Sequence, residues 1–355
     1  MAKKQRTQEE RTADPAAQEM LIRADELGIG TAFHRADDMT PCNIGSSGMC
    51  CKICGMGPCR LTKDGQTGVC GATIDTIQAR NFIRAISAGA AAHSDHGRDM
   101  AMTLKAVANG EAEGYVIRDV AKLRTIAAIY DIDIEGRSPL EIANDLADLY
   151  LAQFGQQTGK VAPVIRAPEK RQKLWTDTGV MPRGIDREVV EALHRTHIGD
   201  DQDPEHILQH AVRTAVGDGW GGSLIATDIS DILFGTPAPI LGQANLGVLR
   251  DDMVNVVVHG HEPTLSQMIV AASQDPEIIE YAKAAGANGI NLSGICCTAN
   301  EILMRQGIPA AGNFLHQELA ILTGSVEAMI VDVQCIMQAL VNLASNFHTQ
   351  IITTS

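Results

Sequence analysis

The residues from 254 to 297, VNVVVHGHEPTLSQMIVAASQDPEIIEYAKAAGANGINLSGICC, decide the predicted fold. Runs rich in β-branched residues predict strands over 254–259 and 289–295, and the intervening pattern predicts helices over 264–271 and 276–285. Strands that alternate with helices are typical of a parallel sheet with helical crossover connections. This stretch therefore predicts an α/β domain.

The same alternation continues to the end of the sequence. It predicts helices over 300–306, 316–322 and 336–347, and strands over 328–333 and 349–354. A doubly wound sheet rarely stops on a strand that no helix covers. We therefore expect a Rossmann-like α/β domain that is incomplete at its carboxyl end.

The sequence before residue 238 has a helical pattern instead. Helical periodicity extends over 15–27, 72–92, 113–130, 139–154 and 204–216. The proline- and glycine-rich run at 235–239 marks the change of pattern. We predict a helical domain over 1–237, which carries a cysteine-rich loop, and a Rossmann-like α/β domain over 238–355.

The overall composition excludes several classes of protein. The 355 residues carry 29 Lys and Arg against 43 Asp and Glu, a formal charge of −14, and include only two Trp, four Tyr and six Phe. Nucleic-acid binding proteins usually show a basic face and stacking aromatic residues, so we expect no nucleic-acid partner. Apolar runs are far shorter than a membrane span of about 20 residues. The polar start at residues 1–12 lacks a secretory signal, and we expect a cytoplasmic protein.

Six of the nine cysteines lie between Cys42 and Cys70. An odd number of cysteines without an export signal favours metal or redox chemistry over disulfides. Four of them have the spacing C-x2-C-x4-C-x10-C within a glycine-rich loop, and these are Cys51, Cys54, Cys59 and Cys70. Four thiolates from one such loop favour a cubane iron-sulfur cluster. A zinc ribbon is the alternative, although it normally has two close C-x2-C pairs.

Cys42 and Cys50 are left outside this set. Cys50 directly precedes Cys51, and neighbouring side chains of an extended backbone point to opposite sides. A symmetric dimer in which each subunit contributes Cys42 and Cys50 would complete four ligands on its two-fold axis. The alternative is that both are buried thiols that bind no metal.

Potential metal ligands also follow three predicted strands of the α/β domain. His259 and His261 follow the first strand, Cys296 and Cys297 the second, and Cys335 a third. Sites in open α/β sheets form outside the carboxyl ends of the strands. A single such residue would more often belong to the core, but three loops with soft ligands favour a metal site. Its remaining ligands would have to come from beyond residue 355 or from a partner.

Several motifs in combination resemble the catalytic subunit of anaerobic nickel-iron carbon monoxide dehydrogenases. They are PCNIG at 41–45, GMCCKIC at 48–54, GPCR at 57–60, GVCG at 68–71, HSDHGR at 93–98, DGWGG at 218–222, HGHEP at 259–263, GICC at 294–297 and VDVQC at 331–335. The resemblance runs through the whole chain but covers only somewhat more than half of the family's usual length. It implies an amino-terminal portion, which alone would be inactive.

The resemblance implies ligands for three kinds of cluster. Cys51, Cys54, Cys59 and Cys70 resemble the ligands of a relay [4Fe-4S] cluster, and Cys42 and Cys50 resemble the pair that shares a [4Fe-4S] cluster across a homodimer. His261, Cys297 and Cys335 resemble ligands of the nickel-iron-sulfur cluster. In the same comparison, Cys296 resembles a neighbouring thiol that is not a ligand, and His259 a structural histidine.

The reaction that the resemblance implies is CO + H2O to CO2, two protons and two electrons, with electrons passing to a ferredoxin-like acceptor. His93 resembles the family's base, and His96, three residues on, resembles a continuation of a proton path on one helix face. Asp218 resembles a residue that tunes the hydroxide site. The alternatives are a polar helix end for both histidines and a turn aspartate for Asp218. Asp99 and Met102 stand where some relatives continue the histidine ladder.

Two other functions fit the residues. One is a hybrid-cluster-type reductase, whose cysteine spacing matches less well, and the other is a non-catalytic iron-sulfur module for electron transfer. The resemblance further implies a nickel-insertion factor as a partner.

Overall fold

The structure is a computed structural model that describes residues 5–198 and 200–354. Its contacts define two compact units, one from the residues up to Thr40 together with those from Pro237 onward, and one from Pro41–Thr236. The residues before Pro41 thus group with the α/β part, whereas the sequence pattern places them in the helical domain. The predicted domains 1–237 and 238–355 remain a prediction. Residues 1–4 of the polar start, and residue 355, lie outside the described residues.

The strands of the described residues form one small and one larger sheet. The small sheet pairs β1 and β2 antiparallel, and the larger is fully parallel with the order β5-β4-β3-β6-β7. Their bounds are β1 Cys50–Cys51, β2 Cys59–Arg60, β3 Val254–Gly260, β4 Ile290–Ile295, β5 Ala310–Gly312, β6 Val326–Val331 and β7 Gln350–Thr353. The expected mixture of helices and a parallel α/β sheet is confirmed.

Sixteen α-helices are described, together with short 3-10 turns and one π-helical turn. They are α1 Gln8–Arg11, α2 Pro15–Leu27, α3 Ala32–Asp38, α4 Asn43–Ser46, α5 Ile74–Ala108, α6 Val120–Ile129, α7 Pro139–Gly155, α8 Glu169–Asp177, α9 Ile185–Arg195, α10 Pro204–Gly217, α11 Ser223–Phe234, α12 Pro263–Ser273, α13 Pro276–Ala284, α14 Cys296–Gln306, α15 Gln317–Leu322 and α16 Ala339–Ala344. No helix among the described residues combines the length and apolar content that a membrane crossing requires.

Helix α5 is the central element of the unit formed by Pro41–Thr236. Thr73 begins it, because the Thr73 side chain accepts a hydrogen bond from the backbone N–H of Thr76 at 3.2 Å. Its fully buried side chains Met100 and Leu104 lie in one apolar core with residues of α6, α7 and α11. This packing fixes the helix face on which His93 and His96 lie.

A π-helical turn at Asp218–Gly222 joins α10 and α11. Its glycines allow a close crossing with α5, since a Cβ on Gly97 would lie 2.6 Å from the carbonyl oxygen of Gly222. A π turn inside a helix often marks a functional site. Asp218 therefore lies at a distorted point of a long helix and not in the ordinary turn that the adjacent glycines suggested.

The parallel sheet is covered by α2 within its own unit. Ala17, Leu21 and Ala24 of α2 are fully buried and share one apolar core with Val257 of β3 and Met329 of β6. Helix α2 begins after an Asp14 cap and ends before Gly28, which adopts the left-handed conformation with φ 67°. This core holds the strands whose carboxyl ends carry the predicted metal ligands.

Candidate metal centres

The four cysteines with cluster spacing line one cavity of about 80 Å³. Cys51 is buried, Cys54 and Cys59 are half-buried, and Cys70 lies at the exposed rim. The rest of the wall is mainly apolar and includes Ile53, Met56, Val69, Ala72 and Ile77. The structure thus brings together all four residues that spacing and resemblance select.

Backbone pairing and close glycine contacts shape this loop. Cys51 lies opposite Cys59 in the β1–β2 pair, which carries the first and third cysteines into the same wall. A Cβ on Gly57 would lie 3.0 Å from the Cys59 nitrogen and 3.2 Å from the Cys51 carbonyl oxygen. The backbone N–H of Val69 points at the Cys59 sulfur at 3.5 Å. The loop therefore wraps tightly around its thiols and turns an N–H group toward one of them.

Positive and partial positive charges face the Cys70 thiol. The pKa of Cys70 is lowered, mainly by the backbone N–H of Ala72 and to a smaller extent by the guanidinium of Arg80, although some burial acts in the opposite direction. A thiol with a lowered pKa is more readily a thiolate, which is the form that binds metals. Within residues 5–198 and 200–354, however, no three His, Cys, Asp or Glu side chains group closely enough to hold one metal ion.

Cys42 and Cys50 lie in the same loop but outside the lining of this cavity as the described residues define it. Cys42 begins α4 and is exposed, and its sulfur accepts the backbone N–H of Gly45 at 3.4 Å. This bond is the main cause of the lowered pKa of Cys42. Cys50 is half-buried, and Asn81 of α5 donates to its carbonyl oxygen at 3.0 Å.

The second group of candidate ligands lies at the carboxyl edge of the parallel sheet. His261 follows β3, Cys296 and Cys297 open α14 directly after β4, and Cys335 lies in the loop after β6. Strands β4, β3 and β6 are neighbours in this order, so their loops meet at one edge. The structure thus brings together the three loops that the sequence predicts.

Asp332 ties these loops together. Its carboxylate accepts the backbone N–H of His261 at 2.7 Å and of Glu262 at 3.0 Å, and the Thr298 hydroxyl at 3.3 Å. Gly260 makes room for it, because a Cβ there would lie 1.5 Å from an Asp332 oxygen and the residue has a φ of +138°. Sequence reasoning missed this role, although Asp332 is part of the quoted VDVQC motif.

Gln317, at the start of α15, is a second buried connector. Its side-chain oxygen faces His259 Nε2 at 3.1 Å and accepts the backbone N–H of Met337 at 2.8 Å, while its side-chain N–H donates to the Cys335 carbonyl oxygen at 3.1 Å. His259 is fully buried, and burial lowers its pKa. These contacts agree with a structural role for His259 that positions the Cys335 loop.

The backbone at this edge is strained. Four non-glycine residues among those described have positive φ, and three of them are Cys296 at 65°, Gln334 at 67° and Cys335 at 59°. Such conformations cost on the order of 1–3 kcal/mol each and cluster at functional sites. Burial, followed by the nearby Cys335 charge, raises the pKa of Cys296 to about 12 and also raises that of Cys297. A cation among these thiols would relieve their mutual repulsion.

His93 and Asp218 form the remaining candidate pair. His93 Nδ1 lies 2.8 Å from an Asp218 carboxylate oxygen, which also accepts the Ser223 hydroxyl at 3.1 Å. The hydrogen bond to Asp218 is the main cause of the raised pKa of His93, which is nearly half exposed. His96 follows on the same helix, three residues further along. The predicted base and the predicted tuning residue are therefore direct partners.

Residues 49–355 match the model of the Prismane/CO dehydrogenase family. Carbon monoxide dehydrogenase 1 of Methanosarcina mazei is 56% identical over 99% of this chain and 57% of its own length. Carbon monoxide dehydrogenase of Rhodospirillum rubrum is 47% identical over 97% of this chain and 54% of its own length. The chain thus spans little more than half the length of the curated relatives that it matches.

A solved structure agrees with these matches. The as-isolated, nickel-free crystal structure of carbon monoxide dehydrogenase from Thermococcus sp. AM4, produced without the CooC maturase, superposes with a TM-score of 0.97 at 49% identity. The match covers all of this chain and 57% of the solved chain. The resemblance stated from the motifs is confirmed, and the chain belongs to the Prismane/CO dehydrogenase family.

Proposed function

We propose that this chain carries cluster sites of an enzyme that oxidises CO with water to CO2, two protons and two electrons. The observation that carries the proposal lies at the carboxyl edge of the sheet. There Asp332 binds both the loop of His261 and helix α14, which begins at Cys296. The Cys335 loop follows the neighbouring strand at the same edge. Family membership supports the choice of reaction. The strand order supports a Rossmann-like domain, because counted from β3 it reads 3-2-1-4-5.

The four-cysteine cavity fits a relay [4Fe-4S] cluster better than zinc. A zinc ribbon normally has two close C-x2-C pairs, and here only Cys51 and Cys54 form one. The four thiols line one cavity within a glycine-rich loop, which suits a cubane. Cys51, Cys54, Cys59 and Cys70 would hold this cluster, which would pass electrons toward a ferredoxin-like acceptor.

The sheet-edge donors fit a nickel-iron-sulfur cluster by their chemistry. His261 offers an imidazole, and Cys297 and Cys335 offer thiolates, which are ligand types that nickel and iron accept. When bound, the cluster would supply the two-electron redox chemistry. The chain would fix the loops that carry these donors through the hydrogen bonds of Asp332 and Gln317. Cys296 would be a neighbouring thiol that does not bind the cluster.

His93, Asp218 and His96 have the proton-handling role in this proposal. Asp218 orients the His93 ring by binding Nδ1, which leaves Nε2 to take up a proton from the reacting water. An imidazole titrates in the useful pH range. His96 would pass the proton along α5, with Asp99 and Met102 beyond it.

Assembly and location complete the proposal. Cys42 and Cys50 would supply half of the ligands of a second [4Fe-4S] cluster, which a homodimer would complete on its two-fold axis. A nickel-insertion factor would load the metal in a cytoplasmic enzyme.

Metal analysis and a CO assay of the full-length protein test the proposal. We expect nickel together with iron, and CO-dependent reduction of a viologen dye that a Cys335→Ala variant loses. Iron without nickel and without CO oxidation would contradict it and favour an electron-transfer module. The hybrid-cluster reductase is not favoured, because the relatives described above are carbon monoxide dehydrogenases.

A further inference from the structure

One cation lies in the wall of the four-cysteine cavity. Among the described residues that line this cavity, Arg80 of α5 is the single one with a positive charge. The residue is 1% exposed, although arginine is almost never fully buried without a partner. The other described residues that line the cavity are apolar apart from the thiols. The cavity thus combines four sulfurs with one buried guanidinium.

The hydrogen bonds of Arg80 within the protein leave part of the guanidinium unsatisfied. One terminal nitrogen donates to the carbonyl oxygen of Asp201 at 3.0 Å, while Nε is buried without a hydrogen-bond partner. No ion pair between Arg80 and a carboxylate is present in the described part of the chain. A buried charge without a counter-charge is strongly unfavourable. The cavity is therefore preorganised for an anionic occupant.

We propose that Arg80 is the charge partner of the cluster held by the four cysteines and that it raises the reduction potential of this cluster. The inference rests on the proposed function, which supplies the cluster. A cubane with four thiolate ligands is an anion, and it gains a further negative charge on reduction. A fixed cation in a low-dielectric wall therefore stabilises the reduced form more than the oxidised form.

The test uses the 355-residue chain, reconstituted anaerobically with iron and sulfide. Serine replaces Cys42, Cys50 and Cys335 in the background, so that the signal arises from one site. Redox titration followed by EPR gives the midpoint potential. For Arg80→Met we expect the midpoint potential to become more negative by at least 59 mV. This shift corresponds to a tenfold change in the equilibrium constant of a one-electron reduction.

Arg84→Met is the matched control. Arg84 lies one turn further along α5 and donates to the Thr196 hydroxyl at 3.0 Å, outside the cavity. We expect its midpoint potential to equal that of the background chain. An equal shift in both variants would show a general effect of loosening α5 and would overturn the inference.

The remaining outcomes separate the inference from the proposed function. A cluster whose potential is unchanged in Arg80→Met overturns the inference alone. A background chain that binds no iron overturns the proposed role of the four cysteines, and the inference with it. If Arg80→Met does not fold, Arg80→Lys is compared with Arg80→Gln. A more positive potential for the lysine variant supports the charge role, and equal potentials overturn it.

Discussion

The two candidate metal regions are built in opposite ways. The four-cysteine cavity takes all its thiols from residues 51–70, and most of its wall comes from the same loop, which Ile77, Arg80 and Ile198 complete. The sheet-edge site takes its donors from three loops spread over residues 261–335, which Asp332 and Gln317 connect. The first site depends on a loop, whereas the second depends on the fold.

This difference predicts different failures. A change in the loop should affect its own metal group and little else, because few contacts outside the loop depend on it. A change at the sheet edge should affect the stability of the whole unit, because the connectors Asp332 and Gln317 are buried and hold several loops together. The predictions below test this contrast and are ordered by the size of the expected effect.

The largest effect separates the proton-handling pair of His93 and Asp218 from both metal regions. His93→Ala in the full-length protein should slow CO oxidation by about 10²–10⁴-fold, because a positioned base contributes that much, and it should leave nickel and iron content unchanged. Metal analysis beside the dye assay measures both. His194→Ala, at a side chain that is 75% exposed on α9, should leave the rate unchanged. Metal loss in His93→Ala would make His93 a ligand.

Gly260→Ala should lower the free energy of unfolding by more than about 3 kcal/mol, because the new methyl group would overlap the Asp332 carboxylate and the backbone is in a strained region. Gly286→Ala is the control, since Gly286 has a φ of +97° but open space around it. It should cost about 1 kcal/mol through strain alone. Urea unfolding followed by circular dichroism measures both, and equal losses would contradict the role of Asp332.

Gly57→Ala should behave in the opposite way. The added Cβ would press on the Cys59 nitrogen and the Cys51 carbonyl oxygen, so reconstituted iron should be lost faster to a chelator. The free energy of unfolding of the apo chain should change by less than about 1 kcal/mol, since the apolar side chains around this loop form a small cluster of their own. Gly55→Ala, with open space, should retain iron normally. A large loss of stability in Gly57→Ala would contradict the difference between the loop-built cavity and the sheet-edge site.

The smallest effect concerns the pKa of His93. Asp218 favours the imidazolium and raises this pKa, so Asp218→Asn should lower it. The pair contributes stability below the unfolded pKa of about 6.5, and this contribution is lost as pH rises through the raised folded value. NMR titration of the His93 ring measures the shift. Asp95→Asn, at an exposed carboxylate paired with Arg98, should leave the pKa in place.

Elements with complete local signals were predictable from the sequence. Helix α2 has the predicted bounds because Asp14, Pro15 and Gly28 mark its ends. Strands β3 and β4 differ from prediction by one residue at one end, and in each case this residue is a glycine, Gly260 or Gly289, that marks the boundary of the strand. The four-cysteine loop was predictable for the same reason, because its spacing is a local property.

Features that depend on tertiary contacts were not predictable. Strand β5 has three small residues and exists through its pairing with β4. The π turn at Asp218–Gly222 follows from the close crossing of α5, which no local pattern encodes. Asp332 falls inside the strand predicted over 328–333, whereas the observed strand ends at Val331 and leaves Asp332 to bind two other loops once the sheet is formed.

The most direct measurement compares Cys59→Ala with Cys335→Ala in the full-length protein, by nickel analysis and by EPR of the reduced relay cluster. Cys59→Ala should lose the relay signal and retain nickel, whereas Cys335→Ala should lose nickel and retain the relay signal. Loss of both properties in both variants, or retention of nickel in Cys335→Ala, would contradict two separate metal sites, one built by a loop and one by the fold.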